Sequence, residues 1–197
     1  MHEWAGLEDG RHQDEKLFYL ISTDERYSKV KEDILKTSYL FIDEVSMISS
    51  KTLSQLEYIC RKVRGCNLYF GGLTVILSGD FYQLLPIRNE LYGAFGHHSF
   101  TLKWFSDVFA HRIYLHLIHR QTDNALITAV NELERGVLSA QSIAFVYSLS
   151  CPLTQDMMEN SVYLFARNLD VDLFNYEKVL RVSCMFLPLK TWETHTF

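Results

Sequence analysis

The stretch Ser38-Tyr-Leu-Phe-Ile-Asp-Glu-Val-Ser-Met47 decides the fold. Its apolar run ends abruptly at Asp43-Glu44. A short run of this kind suits a strand buried on both faces of a parallel sheet. An acidic pair at its carboxyl end stands where open α/β sheets carry their chemistry. Ser49 and Ser50 then offer N-caps for a helix through Arg64, with Leu53, Leu56, Ile59 and Val63 in one stripe. Gly65 sits where a helix-ending glycine belongs. Gly71-Gly72 makes a turn into a second buried-type strand, Leu73-Thr-Val-Ile-Leu-Ser78, which stops at Gly79-Asp80. Strand, helix, strand is a βαβ unit.

Toward the N-terminus, Val30, Ile34 and Leu35 fall on one side of an amphipathic helix over 26–36. The polar stretch from Met1 to about Thr23 reads as loop. In the other direction, a loop-rich middle from Ile87 to His111 leads to a third strand, Ile113–Ile118, ending in His119-Arg120-Gln121. Asp123 caps a helix to Arg135 whose Leu126, Val130 and Leu133 face inward, closed by Gly136. A helix covers 139–149, a fourth strand Ser161–Ala166, and a final helix 170–181. The fold class is α/β, an open parallel sheet with helices on both faces.

The bulk numbers narrow the function classes. A chain of 197 residues, 48% hydrophobic and 22% charged, is neither disordered nor membrane-spanning. The net charge of −5 argues against a free-standing nucleic-acid binder, whose affinity comes from Lys and Arg. A motor that tracks DNA can still be acidic if its basic residues line one groove. Cys60, Cys66, Cys151 and Cys184 lack Cys-x-x-Cys spacing and read as reduced thiols of an intracellular protein. Met1 followed at once by His2, Glu3 and Trp4 does not resemble a signal peptide. His116 and His119 are three apart and His97-His98 adjacent, but no cysteine pair completes a tetrahedral zinc set. Arg61, Lys62 and Arg64 read as a solvated helix face.

Three strands thus end in polar sets: Asp43-Glu44, Asp80 with Gln83, and Arg120-Gln121. The ordered segments are Phe41-Ile-Asp-Glu-Val-Ser-Met47, Leu77-Ser-Gly-Asp-Phe-Tyr-Gln-Leu-Leu-Pro86, Leu117-Ile-His-Arg-Gln-Thr-Asp123 and Tyr163-Leu-Phe-Ala-Arg-Asn-Leu-Asp-Val-Asp-Leu-Phe-Asn175. In order and spacing they resemble the motifs of the superfamily-1 5′-to-3′ DNA helicases of the petite-integration-frequency (Pif) type. His2-Glu-Trp-Ala-Gly-Leu7 is similar to that family's His-Ser-Phe-Ala-Gly-Ile segment, and Arg135-Gly136 to its Arg-x-Gly helix end. The resemblance spans residues 2–181. Leu84-Leu85-Pro86 stands where the family has Leu-Pro-Pro, one ring constraint fewer on that loop.

The resemblance implies a P-loop-NTPase, RecA-like motor that uses ATP and Mg²⁺ on single-stranded or forked DNA, in repair, recombination or telomere maintenance, with no membrane partner. It implies a nuclear or mitochondrial setting. Asp43 would bind magnesium, Glu44 act as general base, Gln83 sense the terminal phosphate, and Arg120 contact the γ-phosphate. His2, Trp4 and Gly6 match a loop near DNA. Residues 1–110 correspond to an incomplete first lobe, 111–182 to a linker and the start of a second lobe, and 183–197 to an unassigned tail. No Gly-x-x-x-x-Gly-Lys-Ser/Thr occurs in the sequence, so the reading is a helicase segment lacking its phosphate-binding loop. The competing expectation is an inactive remnant that acts at most as a weak binding module.

Overall fold

The computed structural model describes residues 3–8 and 10–186. These fall into two compact units that divide between Thr122 and Asp123. Residues 111–122, read from sequence as the beginning of the linker and second-lobe segment, cluster with the first unit.

The first unit is built on the expected βαβ element. Strand β1, Tyr39–Ile42, pairs in parallel with β2, Thr74–Leu77, with Ile42 opposite Leu77. The connection carries helix α3, Ser50–Val63. The Ser49 hydroxyl accepts the Thr52 N–H at 3.1 Å to cap α3, and Gly65 leaves it at φ +59. Leu53, Leu56 and Ile59 are fully buried along the anticipated stripe, together with Cys60. That burial pushes the Cys60 thiol up to about 12, so it stays neutral and belongs to the packing.

Three expectations for this unit need correction. Residues 14–23 form a helix, α1, rather than loop; Leu17 and Ile21, four apart, are buried against the core, and acidic Asp14 and Glu15 occupy its first turn. The next helix, α2 (Ser28–Lys36), buries Ile34 but leaves Leu35 half exposed. The strands pack on one face only: Ile42 is buried while Phe41 is 72% exposed. One crossover helix covers one face of a parallel pair, and the other face is left to other crossovers.

The third correction extends to both remaining strands. Residues 111–119 and 161–165 hold no regular secondary structure. Leu115 is 92% exposed and Leu164 92% exposed. A strand exists only when a neighbour takes its N–H and C=O groups, and no partner strand adjoins either run among the described residues. A second unpredicted element of this unit is a short helix, α4, Phe105–Val108, whose Phe105 joins the core.

Arg64 is the residue that locks this unit. Its guanidinium donates to the carbonyls of Gly71 (2.7 Å), Ile34 (2.9 Å), Thr37 (3.0 Å) and Leu35 (3.4 Å). It therefore ties the end of α2 to the turn before β2, and is not the free surface charge read from sequence. Arg61 is engaged too, 2.8 Å from the nearly buried Glu57. Arg64→Ala is expected to cost about 2–4 kcal/mol through several unpaired carbonyls, lowering the melting temperature by roughly 10 °C or more. Arg64→Lys should recover little, because one ammonium lacks the planar fork. Thermal denaturation followed by circular dichroism checks this; an unchanged midpoint for Arg64→Ala contradicts it.

The second unit is helical: α5 (Asn124–Glu134), α6 (Ala140–Ser148), α7 (Gln155–Asn160) and α8 (Asn168–Phe186). Asp123 caps α5 by accepting the N–H groups of Ala125 and Leu126. Glu132 accepts the Ser139 N–H at 2.7 Å, joining α5 to the start of α6. That backbone bond holds the Glu132 carboxyl below the ordinary range. The inward stripe expected of α5 is displaced: Ala129 is buried, whereas Val130 and Leu133 are substantially exposed. The Tyr163 and Phe165 rings pack on Phe174 of α8, at 4.6 and 5.2 Å between centroids. Of the tail, residues 187–197 lie outside the described residues.

Candidate functional site

The site is built where β1 and β2 end side by side. Ser78 N–H donates to the Ile42 carbonyl at 2.8 Å, and Val45 N–H to the Ser78 carbonyl at 3.0 Å. The ladder thus continues one step past the strands and brings the Asp43-Glu44 turn against Gly79-Asp80. Only glycine permits this approach. A Cβ on Gly79 would lie 2.8 Å from the Val45 nitrogen, and its φ is +147.

Glu44 occupies the left-handed region, φ 52 and ψ 47. For a residue with a side chain this costs about 1 kcal/mol or more. Surrounding contacts impose it. Val45 and Ser46 directly after it are buried, and Met47 N–H donates to the Glu44 carbonyl at 3.0 Å. The result is that Asp43 and Glu44 both face solvent on an anchored turn. The Asp43 Oδ1 accepts the Glu44 N–H at 3.0 Å, while Oδ2 has no partner among the described residues.

Asp80 organises the second polar set. Its Oδ1 accepts the Tyr82 N–H at 2.9 Å, its Oδ2 accepts the Gln83 Nε2 at 3.3 Å, and its carbonyl accepts the Gln83 N–H at 3.0 Å. Gln83 is exposed yet braced at both ends. Phe81 anchors the turn from inside, edge-on to the rings of Phe100 (4.9 Å) and His98 (5.8 Å). Asp43, Glu44, Asp80 and Gln83 therefore leave the same end of one parallel pair. Arg120 is not drawn into this group: it is exposed in an irregular segment.

Asp43 and Glu44 line a cavity of about 660 Å³ whose other wall includes Leu7, Glu8, Ile87 and Asn89. Among the described residues no three His, Cys, Asp or Glu side chains form a cage for a metal ion. One open carboxylate oxygen suits a hydrated magnesium that takes further ligands from phosphate.

The described part of the N-terminal loop packs onto the first unit. His2 lies outside the described residues. Trp4 is partly buried against the core. Gly6 has φ +64, and a Cβ there would meet the Tyr27 ring at 3.2 Å. Gly79 and the Phe81 buttress were not singled out from sequence, although the run Ser78-Gly-Asp80 carried the signal for the first. Lys51, which also lines the Asp43-Glu44 cavity, had a subtler signal, a cation in the first turn of α3.

Comparison with known proteins bears on this geometry. A family model described as PIF1-like helicase matches residues 12–122. The chain is 31% identical over 183 residues to the ATP-dependent DNA helicase PIF1 of Emericella nidulans, covering 93% of this chain and 24% of that protein. It is 28% identical over 185 residues to the ATP-dependent DNA helicase RRM3 of Saccharomyces cerevisiae, covering 91% and 24%. Among solved structures, the Pif1 helicase from Candida albicans superposes with a TM-score of 0.78 at 30% identity, over 91% of this chain and 39% of that one. Pif1 from Bacteroides in complex with ADP-AlF3 and ssDNA gives 0.74 at 23% identity, over 98% and 44%, a likeness of fold. The chain spans about a quarter of the length of these curated relatives.

Proposed function

Because this chain belongs to the PIF1-like helicase family, we propose that it is the magnesium- and water-facing part of an ATP-dependent 5′-to-3′ DNA helicase motor. The observation that carries the reading is the parallel pairing of β1 with β2, with Glu44 held in a strained turn at their shared end. Strain kept at a strand end is a mark of functional constraint. RecA-like folds use that end for nucleotide.

Asp43 would hold the magnesium of Mg-ATP through its open oxygen. The metal would supply charge neutralisation for the phosphate oxygens. Glu44, beside it, accepts the proton of the attacking water. Gln83, braced by Asp80, reports the terminal phosphate to the rest of the lobe. Arg120 belongs to the linker and second-lobe segment beginning near residue 111, and reaches the γ-phosphate with a guanidinium that stays charged and donates to several oxygens. Trp4 and Gly6, together with His2 of the same motif, would serve DNA binding, with Trp4 as a stacking surface. The substrates are single-stranded and forked DNA, in repair, recombination or telomere maintenance, in nucleus or mitochondrion. No helix among the described residues is long and apolar enough to cross a membrane.

The chain by itself carries only part of such a DNA groove and is net acidic. It is expected to bind labelled single-stranded oligonucleotide weakly, without sequence preference, with affinity falling as salt rises. Fluorescence anisotropy across a salt series tests this. Submicromolar affinity that survives physiological salt contradicts it. The same sample should release no phosphate from ATP, since two carboxylates repel the triphosphate where no loop of backbone N–H groups and lysine holds it.

A further inference from the structure

Lys51 stands in the first turn of α3, where the helix dipole disfavours a cation. Its surroundings explain why it is there. The ammonium donates to the carbonyl of Gly10, 3.0 Å away, and to the carbonyl of Tyr92. These acceptors belong to two loops remote in sequence. Gly10 closes the N-terminal loop, its N–H bonded to the Leu7 carbonyl at 2.9 Å. Tyr92 ends a short 3-10 turn in a loop cinched by reciprocal Asn89–Ala94 bonds of 2.8 and 2.9 Å. A carbonyl at the end of such a turn is a good acceptor for a cation. Lys51 also lies between two cavities, lining both the one that holds Asp43 and Glu44 and a neighbouring one of about 690 Å³.

We propose that Lys51 is a positioning residue, a latch that binds the N-terminal loop to the 89–94 loop and so couples the DNA-facing segment to the wall of the Asp43-Glu44 cavity. The coupling rests on the functional reading above; the latch itself rests on the geometry. Leu7 and Glu8 of one loop and Asn89 and Ala94 of the other line the same cavity. Holding both with one ammonium makes their spacing a single variable. A ligand that orders the first loop then orders the second, because the shared donor need not be immobilised twice. The charge on Lys51 is kept for two carbonyls, which offsets its unfavourable place in the helix.

Amide hydrogen exchange on the whole chain tests the latch, comparing wild type with Lys51→Met, which keeps the stem, and Lys51→Arg, which keeps the charge. In Lys51→Met the amides of Gly10, Asn89, Gly93 and Ala94 should exchange about tenfold faster or more, the loss expected of a bond to a charged donor. Lys51→Arg should stay near wild type, and the amides of Leu56, Ile59 and β1 should be unaffected in both variants. Acceleration in only one loop, in neither, or throughout α3 as well overturns the latch. A second arm adds excess single-stranded oligothymidylate. Wild type should gain protection in both loops, and Lys51→Met in the N-terminal loop alone. Equal protection of both loops in Lys51→Met overturns the coupling. Weaker oligonucleotide binding by Lys51→Met with unchanged loop exchange makes Lys51 a phosphate contact instead, and also overturns the proposal. No protection anywhere in wild type counts against the DNA reading, while the first arm still decides the latch.

Discussion

In a full-length helicase that carries this segment together with a phosphate-binding loop, Arg120→Ala is expected to slow ATP hydrolysis by roughly 10³-fold or more. Phosphoryl transfer needs little covalent help from a protein; it needs charge placed against the equatorial oxygens and the reactants held in line. A guanidinium supplies charge and direction together, and it cannot lose its proton at working pH. Arg120→Lys should therefore remain far below wild type, because an ammonium is a point charge without the fork. Arg120 lies exposed in an irregular segment of this chain. Steady-state phosphate release by the three proteins, with saturating single-stranded DNA, is the measurement. A rate for Arg120→Ala within a few-fold of wild type removes the residue from the mechanism.

The parts of the fold that were legible share one property: their signals are local. The β1-α3-β2 unit was readable because each strand stops at an acidic group, Ser49 caps α3 and Gly65 ends it. Those features act through neighbours in the chain. The runs 113–118 and 161–166 are as apolar as β1, yet they are not strands, since a strand is defined by a partner that local sequence does not specify. Helix α1 was hidden for the opposite reason: Asp14-Glu-Lys16 opens it with polar residues, which masked the four-residue spacing of Leu17 and Ile21.

The candidate site divides in the same way. Asp43, Glu44 and Gln83 were legible as motif residues, and the geometry adds how they are held: the left-handed turn at Glu44, the close pass of Gly79, the Asp80 brace on Gln83. Long-range supports left almost no trace. Arg64 looked like one of three surface cations, but its four carbonyl acceptors come from segments at least seven residues away. Lys51 left only a mild violation of helix electrostatics, and such local misfits are where function and folding compete.

The central claim is that the turn after β1 aims Glu44 at the water of an ATPase site. Glu44→Gln tests it most directly, because the amide keeps the size of the side chain and its hydrogen-bonding reach while losing the ability to take a proton. The measurement is a paired one on the full-length helicase: nucleotide affinity from a fluorescent ATP analogue, and kcat from phosphate release with single-stranded DNA. Affinity should stay within about threefold of wild type, a change of less than one decade in the binding constant. Over the same comparison kcat should fall by about 10²–10⁴-fold, the range for loss of a general base. Wild-type turnover by Glu44→Gln, at unchanged affinity, would contradict the claim and leave the strained turn at the end of β1 without a catalytic purpose.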